Sequence, residues 1–174
     1  MIRTKNLAVA FSAVLSLGIA SSTLVACGGG DAKAANVTPG NMPDGESWQG
    51  VYYHPVFGYL HMVEQGTSVV GKWKRTDQSA WGELSGTETG NVVHFTWKEH
   101  KYNQVGPSST SSGKGYFVYK INSDKTAELD GQYGLGDDET GSEWHNVKQL
   151  HMNPDLNSIT GGGDDPQTSS EHLQ

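Results

Sequence analysis

Residues 90–99 read Gly90-Asn91-Val92-Val93-His94-Phe95-Thr96-Trp97-Lys98-Glu99. Gly-Asn before an apolar run is a two-residue hairpin signal, because both positions tolerate the left-handed conformations such turns require. In the run that follows, Val93, Phe95 and Trp97 alternate with Val92, His94, Thr96 and Lys98. Side chains two apart share one face of a strand. The segment therefore predicts a strand with Val93, Phe95 and Trp97 directed into a core.

The same pattern extends in both directions. Strand-like runs occur at Trp48–His54, Tyr59–Glu64, Ser68–Lys74, Gly82–Thr87, Val92–Glu99, Gly115–Ile121, Ala127–Tyr133 and Glu143–Gln149. Between them lie turn signals such as Gln65-Gly66-Thr67, Thr76-Asp77-Gln78-Ser79 and Asn122-Ser123-Asp124-Lys125, while no stretch sustains a 3.6-residue period. Short links force consecutive strands to pair antiparallel, and an eight-stranded meander removes its unpaired edges by closing. The expected fold is all-β: a single small antiparallel up-and-down β-barrel of about eight strands, over residues 47–152.

Four copies of a Gly-x-aromatic motif punctuate these strands: Gly50-Val51-Tyr52, Gly71-Lys72-Trp73, Gly115-Tyr116-Phe117 and Gly131-Gln132-Tyr133. Each glycine leaves a gap beside a ring on the same face, over which rings of neighbouring strands can lie. The expected interior accordingly includes Val69, Gly71, Trp73, Leu60, Met62, Leu129, Gly131 and Tyr133.

The barrel is flanked by segments of another composition. Residues 27–46 carry no apolar periodicity and are broken by Pro39 and Pro43; they are expected to form a flexible tether spanning roughly 25 Å. Residues 153–174, with Gly161-Gly162-Gly163, Asp164, Asp165 and several serines, read as a disordered tail.

The first 26 residues have a secretory leader's layout: Arg3 and Lys5, an uncharged stretch Leu7–Ala20, then small residues. The leader ends in Leu24-Val25-Ala26-Cys27, and Cys27 is the chain's only cysteine, so it cannot form an intramolecular disulfide. This junction resembles the bacterial lipobox. The resemblance implies a signal peptide over residues 1–26, a diacylglyceryl group on the Cys27 thiol, cleavage before Cys27 and further acylation of the new amino terminus. Several chains are needed because a single acyl chain binds a bilayer only marginally. Gly28 in place of an aspartate implies the cell outer membrane as destination. The partner it implies is the membrane, through the lipid anchor.

Removal of residues 1–26 takes away Arg3 and Lys5 and no acid, leaving 10 basic and 19 acidic residues. That balance argues against nucleic acid, whose phosphates need clustered Lys and Arg.

The segment "VVHFTWKE" with the later "GDDETGSEW" resembles the second half of an avidin-type barrel, and the outline is similar to lipocalins. The first strand, Ser47-Trp48-Gln49-Gly50-Val51-Tyr52, lacks the asparagine of the avidin biotin site, so no ligand is carried over.

No catalytic residue, cofactor or metal site is expected. The seven histidines, His54, His61, His94, His100, His145, His151 and His172, show no metal-ligand spacing, and Asp137-Asp138-Glu139 does not match a calcium loop. "GPSSTSSGKG" at 106–115 lacks the Ser or Thr of a phosphate loop and reads as a flexible hairpin loop. Tyr53, Tyr59, Tyr102, Tyr116 and Tyr119, on outer faces or near loops, are candidates to line a recognition surface, with no ligand-binding residue assigned. The expected function is that of a membrane-anchored envelope lipoprotein whose barrel binds a small ligand or an envelope protein without catalysis. A structural or assembly role ranks second and a hydrolase third.

Overall fold

The computed structural model of the chain describes residues 31–159. The leader, Cys27, the glycines 28–30 and the segment from residue 160 onward lie outside the described residues. Eight strands form a closed up-and-down barrel: β1 (Gly50–His54), β2 (Gly58–Gln65), β3 (Ser68–Lys74), β4 (Ala80–Thr89), β5 (Val92–Lys101), β6 (Thr110–Ile121), β7 (Ala127–Tyr133) and β8 (Ser142–Lys148). Each strand pairs antiparallel with its sequence neighbour. Closure between β1 and β8 rests on the short register Tyr52↔Lys148 and Tyr53↔Val147.

The β4–β5 turn contains only Gly90 and Asn91, with Gly90 at φ 58°. One barrel end carries this turn, the β2–β3 turn at 66–67 and the β6–β7 turn at 122–126; we call it the hairpin end. The other, the mouth, carries the connections 55–57, 75–79, 102–109 and 134–141.

Val93, Phe95 and Trp97 are buried as the alternation requires, as are Leu60, Met62, Val69, Trp73 and Leu129. Register explains how so many large rings fit. Trp73 lies opposite Gly82, Phe95 opposite both Gly86 and Gly115, Trp97 opposite Gly113, and Gly131 stands between Phe117 and Trp144. A Cβ at Gly82 would come within 2.1 Å of the Trp73 ring, and one at Gly115 within 2.6 Å of the Phe95 ring. The glycines therefore provide the volume that rings of adjacent strands occupy. The repeat's own members are not all alike, since a Cβ at Gly71 would meet Leu60 and Leu84, and one at Gly131 the Tyr116 carbonyl. Trp144 sits centrally, within 4.6–6.0 Å of the rings of Phe57, Trp73, Phe95, Phe117 and Tyr133.

Three segments differ from the sequence expectation. Residues 106–115 are not wholly a loop: β6 begins at Thr110 and pairs with β5 through His100↔Thr110. Gly and Ser there have poor strand propensity, but the ladder offered by the far half of β5 decides the conformation. Residues 31–46 have no regular secondary structure, yet they form a strap tied to the barrel. The Lys33 N–H donates to Asp138 Oδ1 (2.9 Å), the Ala35 N–H to Glu139 Oε2 (2.8 Å), and the Gly40 N–H to Asn91 Oδ1 (2.7 Å). The strap thus begins at the mouth and reaches the hairpin end. Residues 155–159 also pack on the wall: the Asp155 N–H donates to His61 Nδ1 (2.9 Å) and Ile159 is buried.

Trp48 lies outside β1 and is fully buried, edge-on to Tyr119 at 5.8 Å. Lys148 Nζ donates to Glu46 Oε2 and lies 2.9 Å from both that atom and the Tyr119 hydroxyl, which itself donates to Glu46. The Tyr119 hydroxyl and Lys148 hold the Glu46 carboxyl below its ordinary value, and burial holds the Tyr119 phenol protonated. Tyr119 is therefore an interior residue, not part of an outer recognition surface.

Trp73→Ala should cost about 3–5 kcal/mol as a core truncation, and Gly82→Ala about 1–3 kcal/mol as an overpacking. Urea unfolding of each checks this; a midpoint equal to wild type for Gly82→Ala would mean that Trp73 does not need the opposite face bare.

Candidate functional site

The interior is filled, so the concave surfaces lie elsewhere, and the one built from the most convergent chemistry is at the mouth. The register that ends β3 and β5 there brings Arg75 and Glu99 together, 24 residues apart in sequence. Arg75 Nε donates to Glu99 Oε2 at 2.8 Å and Nη2 to Oε1 at 3.0 Å. Trp73 Nε1 donates to Glu99 Oε2 at 3.3 Å. A buried carboxylate is tolerated when paired and hydrogen-bonded, and Glu99, 8% exposed, meets that condition. The Arg75 guanidinium also lies 5.0 Å from the centre of the Phe57 ring.

Two clefts flank this ion pair. One, about 420 Å³, is lined by Trp97, Tyr133 and Leu135 together with Lys33, Asp138 and Thr140. The other, about 530 Å³, lies between Arg75, Ser79, Lys101 and Tyr102. Trp97 is fixed because its Nε1 donates to the carbonyls of Lys114 and Gly134, each at 3.1 Å. The mouth clefts are lined by aromatic and aliphatic side chains beside a paired arginine and glutamate, an arrangement suited to a ligand with both apolar surface and hydrogen-bonding groups.

A short lid closes the barrel next to this site. Residues 55–57 fold over it so that Phe57 packs 4.6 Å from Trp144 and 5.6 Å from Tyr133. The lid is held by His54, whose Nδ1 accepts from the N–H groups of Val56 (3.0 Å) and Phe57 (3.1 Å). This copies the local turn that an Asn or Asp side chain makes two residues on. The ring must be neutral to accept, and burial, then the nearby charges of His145 and Arg75, hold its pKa below the ordinary 6.5.

The structure distributes the other sequence candidates without joining them. His94 faces Glu139, His100 stacks on Trp81 at 4.4 Å, His145 lies by Glu128 and Asp130, and His61 holds Asp155. Among the described residues, no three His, Cys, Asp or Glu side chains gather to hold a metal ion. Asp138 and Glu139 are not simply solvated loop charges; they bind the strap backbone, while Asp137 pairs with Lys114 at 2.9 Å. Tyr53 and Tyr59 pair on the outer wall at 5.0 Å, and Tyr116 lies beside His94. His172 and Cys27 lie outside the described residues. The mouth ion pair carries no local sequence signal; only the alignment of β3 with β4 and β5 would have revealed it.

Inside the barrel, Asn146 on β8 is fully buried, and its amide nitrogen and oxygen, like the indole nitrogens of Trp48 and Trp144, have no hydrogen-bond partner among the described residues. Compared with protein families, curated proteins and solved structures, the chain shows no match.

Two outcomes follow for measurement. A depressed histidine pKa stabilises the lid fully above 6.5, and that stabilisation is lost as pH falls through the lower folded value. The Val56 and Phe57 backbone amides should therefore lose protection, taken relative to the intrinsic exchange rate at each pH, below that range, whereas His54→Asn, which keeps an acceptor without titrating, should flatten the dependence. Separately, Asn146→Leu should raise stability by about 1–3 kcal/mol, since it removes buried polar groups lacking partners; a lower thermal midpoint would show that the amide is engaged inside the barrel.

Proposed function

We propose that this chain is a lipid-anchored lipoprotein of the bacterial envelope, with the outer membrane as its site, and that its barrel is a non-enzymatic binding module working at the mouth. The observation that carries the binding reading is the contrast between a ring-packed interior and clefts at the mouth lined by Trp97, Tyr133 and the Arg75–Glu99 pair. A packed interior leaves recognition to the outer rim. The rim has the composition that recognition surfaces favour, rings and aliphatic tips beside fixed polar groups.

The anchor part rests on the lipobox-like Leu24-Val25-Ala26-Cys27. A non-catalytic role is supported by the state of the clustered ionisable groups. Arg75 and Glu99 neutralise each other, and Glu46, Tyr119 and Lys148 close the hairpin end with the Tyr119 phenol held protonated. In both clusters the polar atoms are taken up by one another in holding the fold.

Two experiments test the parts separately. Cys27→Ala should be recovered unprocessed and unacylated; membrane fractionation equal to wild type together with a cleaved leader would refute the anchor. A photoreactive phenylalanine analogue at Leu135 should give adducts in intact cells that the same residue at Lys125, on the hairpin end, does not. Equal adduct yields at the two positions would refute recognition at the mouth.

A further inference from the structure

Two grooves meet at the corner of the mouth where β3 runs into the 75–79 connection. One is the cleft of about 530 Å³ that Ser79, Lys101 and Tyr102 line, together with Asn103 and Gln104. The other, about 420 Å³, lies around the corner on the outer wall, between Tyr53, Tyr59, His61, Lys74 and Thr76. Arg75 and Gln78 line both, so the two grooves form one surface. Register gives its length. Tyr53↔Tyr59, Tyr59↔Lys74, Lys74↔Trp81 and Trp81↔His100 make one row on the outer wall from β1 to β5. Four inter-strand steps of about 4.8 Å span about 19 Å, the reach of a short chain and not of one compact molecule.

The backbone is specialised where the grooves join. Among the described residues, three that are not glycine have a positive φ, and two of them, Gln78 (57°) and Asn103 (59°), line this surface. Asparagine enters the left-handed region readily, but glutamine seldom does. Such departures gather at ligand clamps. The turn is fixed around Gln78: the Gln78 N–H donates to the Arg75 carbonyl at 2.9 Å, and the Asp77 carboxylate accepts from the Ser79 N–H at 3.0 Å and hydroxyl at 2.6 Å.

The charge at this corner is of the chain's minority sign. The formal net charge is −7, yet the ammonium groups of Lys74 and Lys101 make no ion pair among the described residues, unlike those of Lys114, Lys120 and Lys148. Lys74 lies 5.6 Å from the centre of the Tyr102 ring instead. Glu99, the carboxylate that lines the surface, is taken up by Arg75. Asp77 is bonded to Ser79 and lines neither groove.

The remaining lining selects among ligands. Thr76, Gln78, Ser79, Asn103 and Gln104 carry groups that both donate and accept, which suits a partner made of hydroxyls. Tyr53, Tyr59 and Tyr102 add rings on which the C–H faces of sugars pack. The lining's aliphatic side chains are Ala80 and Ile159, too few to form the apolar pocket that anchors a peptide. Two uncompensated lysines are also too few for a nucleic acid, with a phosphate at every residue.

We infer that this corner binds an acidic polysaccharide: a chain of pyranoses whose carboxylates pair with Lys74 and Lys101 and whose hydroxyls bond to the amides of Gln78, Asn103 and Gln104. The inference deepens the mouth reading, on which it rests, by naming a ligand class for the Arg75–Tyr102 side and carrying the site onto the outer wall. Carboxylate–lysine contacts are charge-assisted and supply selectivity for the acid. The amides, held on a fixed turn, supply the part of recognition that a neutral sugar shares.

The test follows amide chemical shifts of the isotope-labelled full chain, as recovered from cells, on addition of tetragalacturonate or tetramannuronate, their methyl esters, or a thymidine tetranucleotide. At least one of the two acids should shift Lys74, Gln78, Lys101 and Asn103 together, with a Kd of about 1 mM or tighter, and its ester should bind about ten-fold more weakly. No shift at these amides with either acid up to about 10 mM, equal affinity for the ester, or tighter binding of the tetranucleotide overturns the inference. Lys74→Gln combined with Lys101→Gln should weaken the acid about ten-fold and leave the ester within about two-fold; equal loss for both overturns the ionic contact. Gln78→Gly relieves the positive φ and removes the amide, so it should raise the thermal midpoint while weakening acid and ester alike. Unchanged affinity in that variant overturns the clamp. Photoadducts at Leu135 separate the two levels: if they persist while both acids fail, only the ligand class falls, whereas equal adducts at Leu135 and Lys125 remove the mouth reading itself.

Discussion

The structure depends on one steric constraint, that a ring on one strand faces a glycine on the next. Trp73 opposes Gly82, Phe95 lies between Gly86 and Gly115, and Gly131 separates Phe117 from Trp144. An eight-stranded barrel has an interior just wide enough for its own side chains. If every inward position carried a large residue, the rings would collide; if every one were small, the barrel would be hollow. Alternating the two across the ladder lets five ring contacts converge on Trp144 while the strands bend tightly enough to close. The arrangement also fixes register. A slip of one residue would carry each ring to the outer face, and a slip of two would set it against a new partner instead of its glycine.

Closure at the β1–β8 seam has much less behind it, and the flanking segments make up the difference. The seam's register covers two residue pairs, supplemented by the Gln149 N–H donating to the Val51 carbonyl at 2.8 Å. Immediately beside it, Lys148 on β8 holds Glu46, and Glu46 leads directly into Trp48 and β1. An ion pair that joins the chain before the first strand to the last strand closes the ring where the ladder is short. Because Glu46 titrates below its ordinary value of 4.5, its contribution is complete above that value and is lost as the pH falls through the lower folded one. Acid should therefore loosen the hairpin end as the Glu46 carboxyl takes up a proton.

How much of this was legible depends on whether the signal was local. Val92–Glu99 declares its faces through alternation, and Ser68–Lys74 and Ala127–Tyr133 match the observed strands to the residue, because one buried face imposes a period of two. The start of β6 at Thr110 was not legible: Thr110-Ser111-Ser112-Gly113-Lys114 reads as a loop and becomes a strand only because the outer half of β5 needs a partner. The strap was missed for a similar reason. Nothing in Lys33 or Ala35 announces a contact, since the acceptors are Asp138 and Glu139, over 100 residues away, and a backbone N–H carries no sequence signature. The Arg75–Glu99 pair is also non-local, visible only once the β3–β4–β5 register is known.

A packed barrel leaves its loops as the place where any recognition would have to occur. A barrel of this size that kept a cavity would have to give up some of the rings that now meet at Trp144, and with them the burial that holds a small domain together. Filling the interior removes that conflict and moves any recognition to the loops, where side chains are free of packing duties. Phe57 shows where the two regimes meet: its ring belongs to the core, yet its backbone belongs to a lid held by two bonds to His54. The rim can then vary in sequence without disturbing the ring–glycine ladder, while that ladder supplies the rigid platform that fixes Trp97, Tyr133 and the Arg75–Glu99 pair relative to one another.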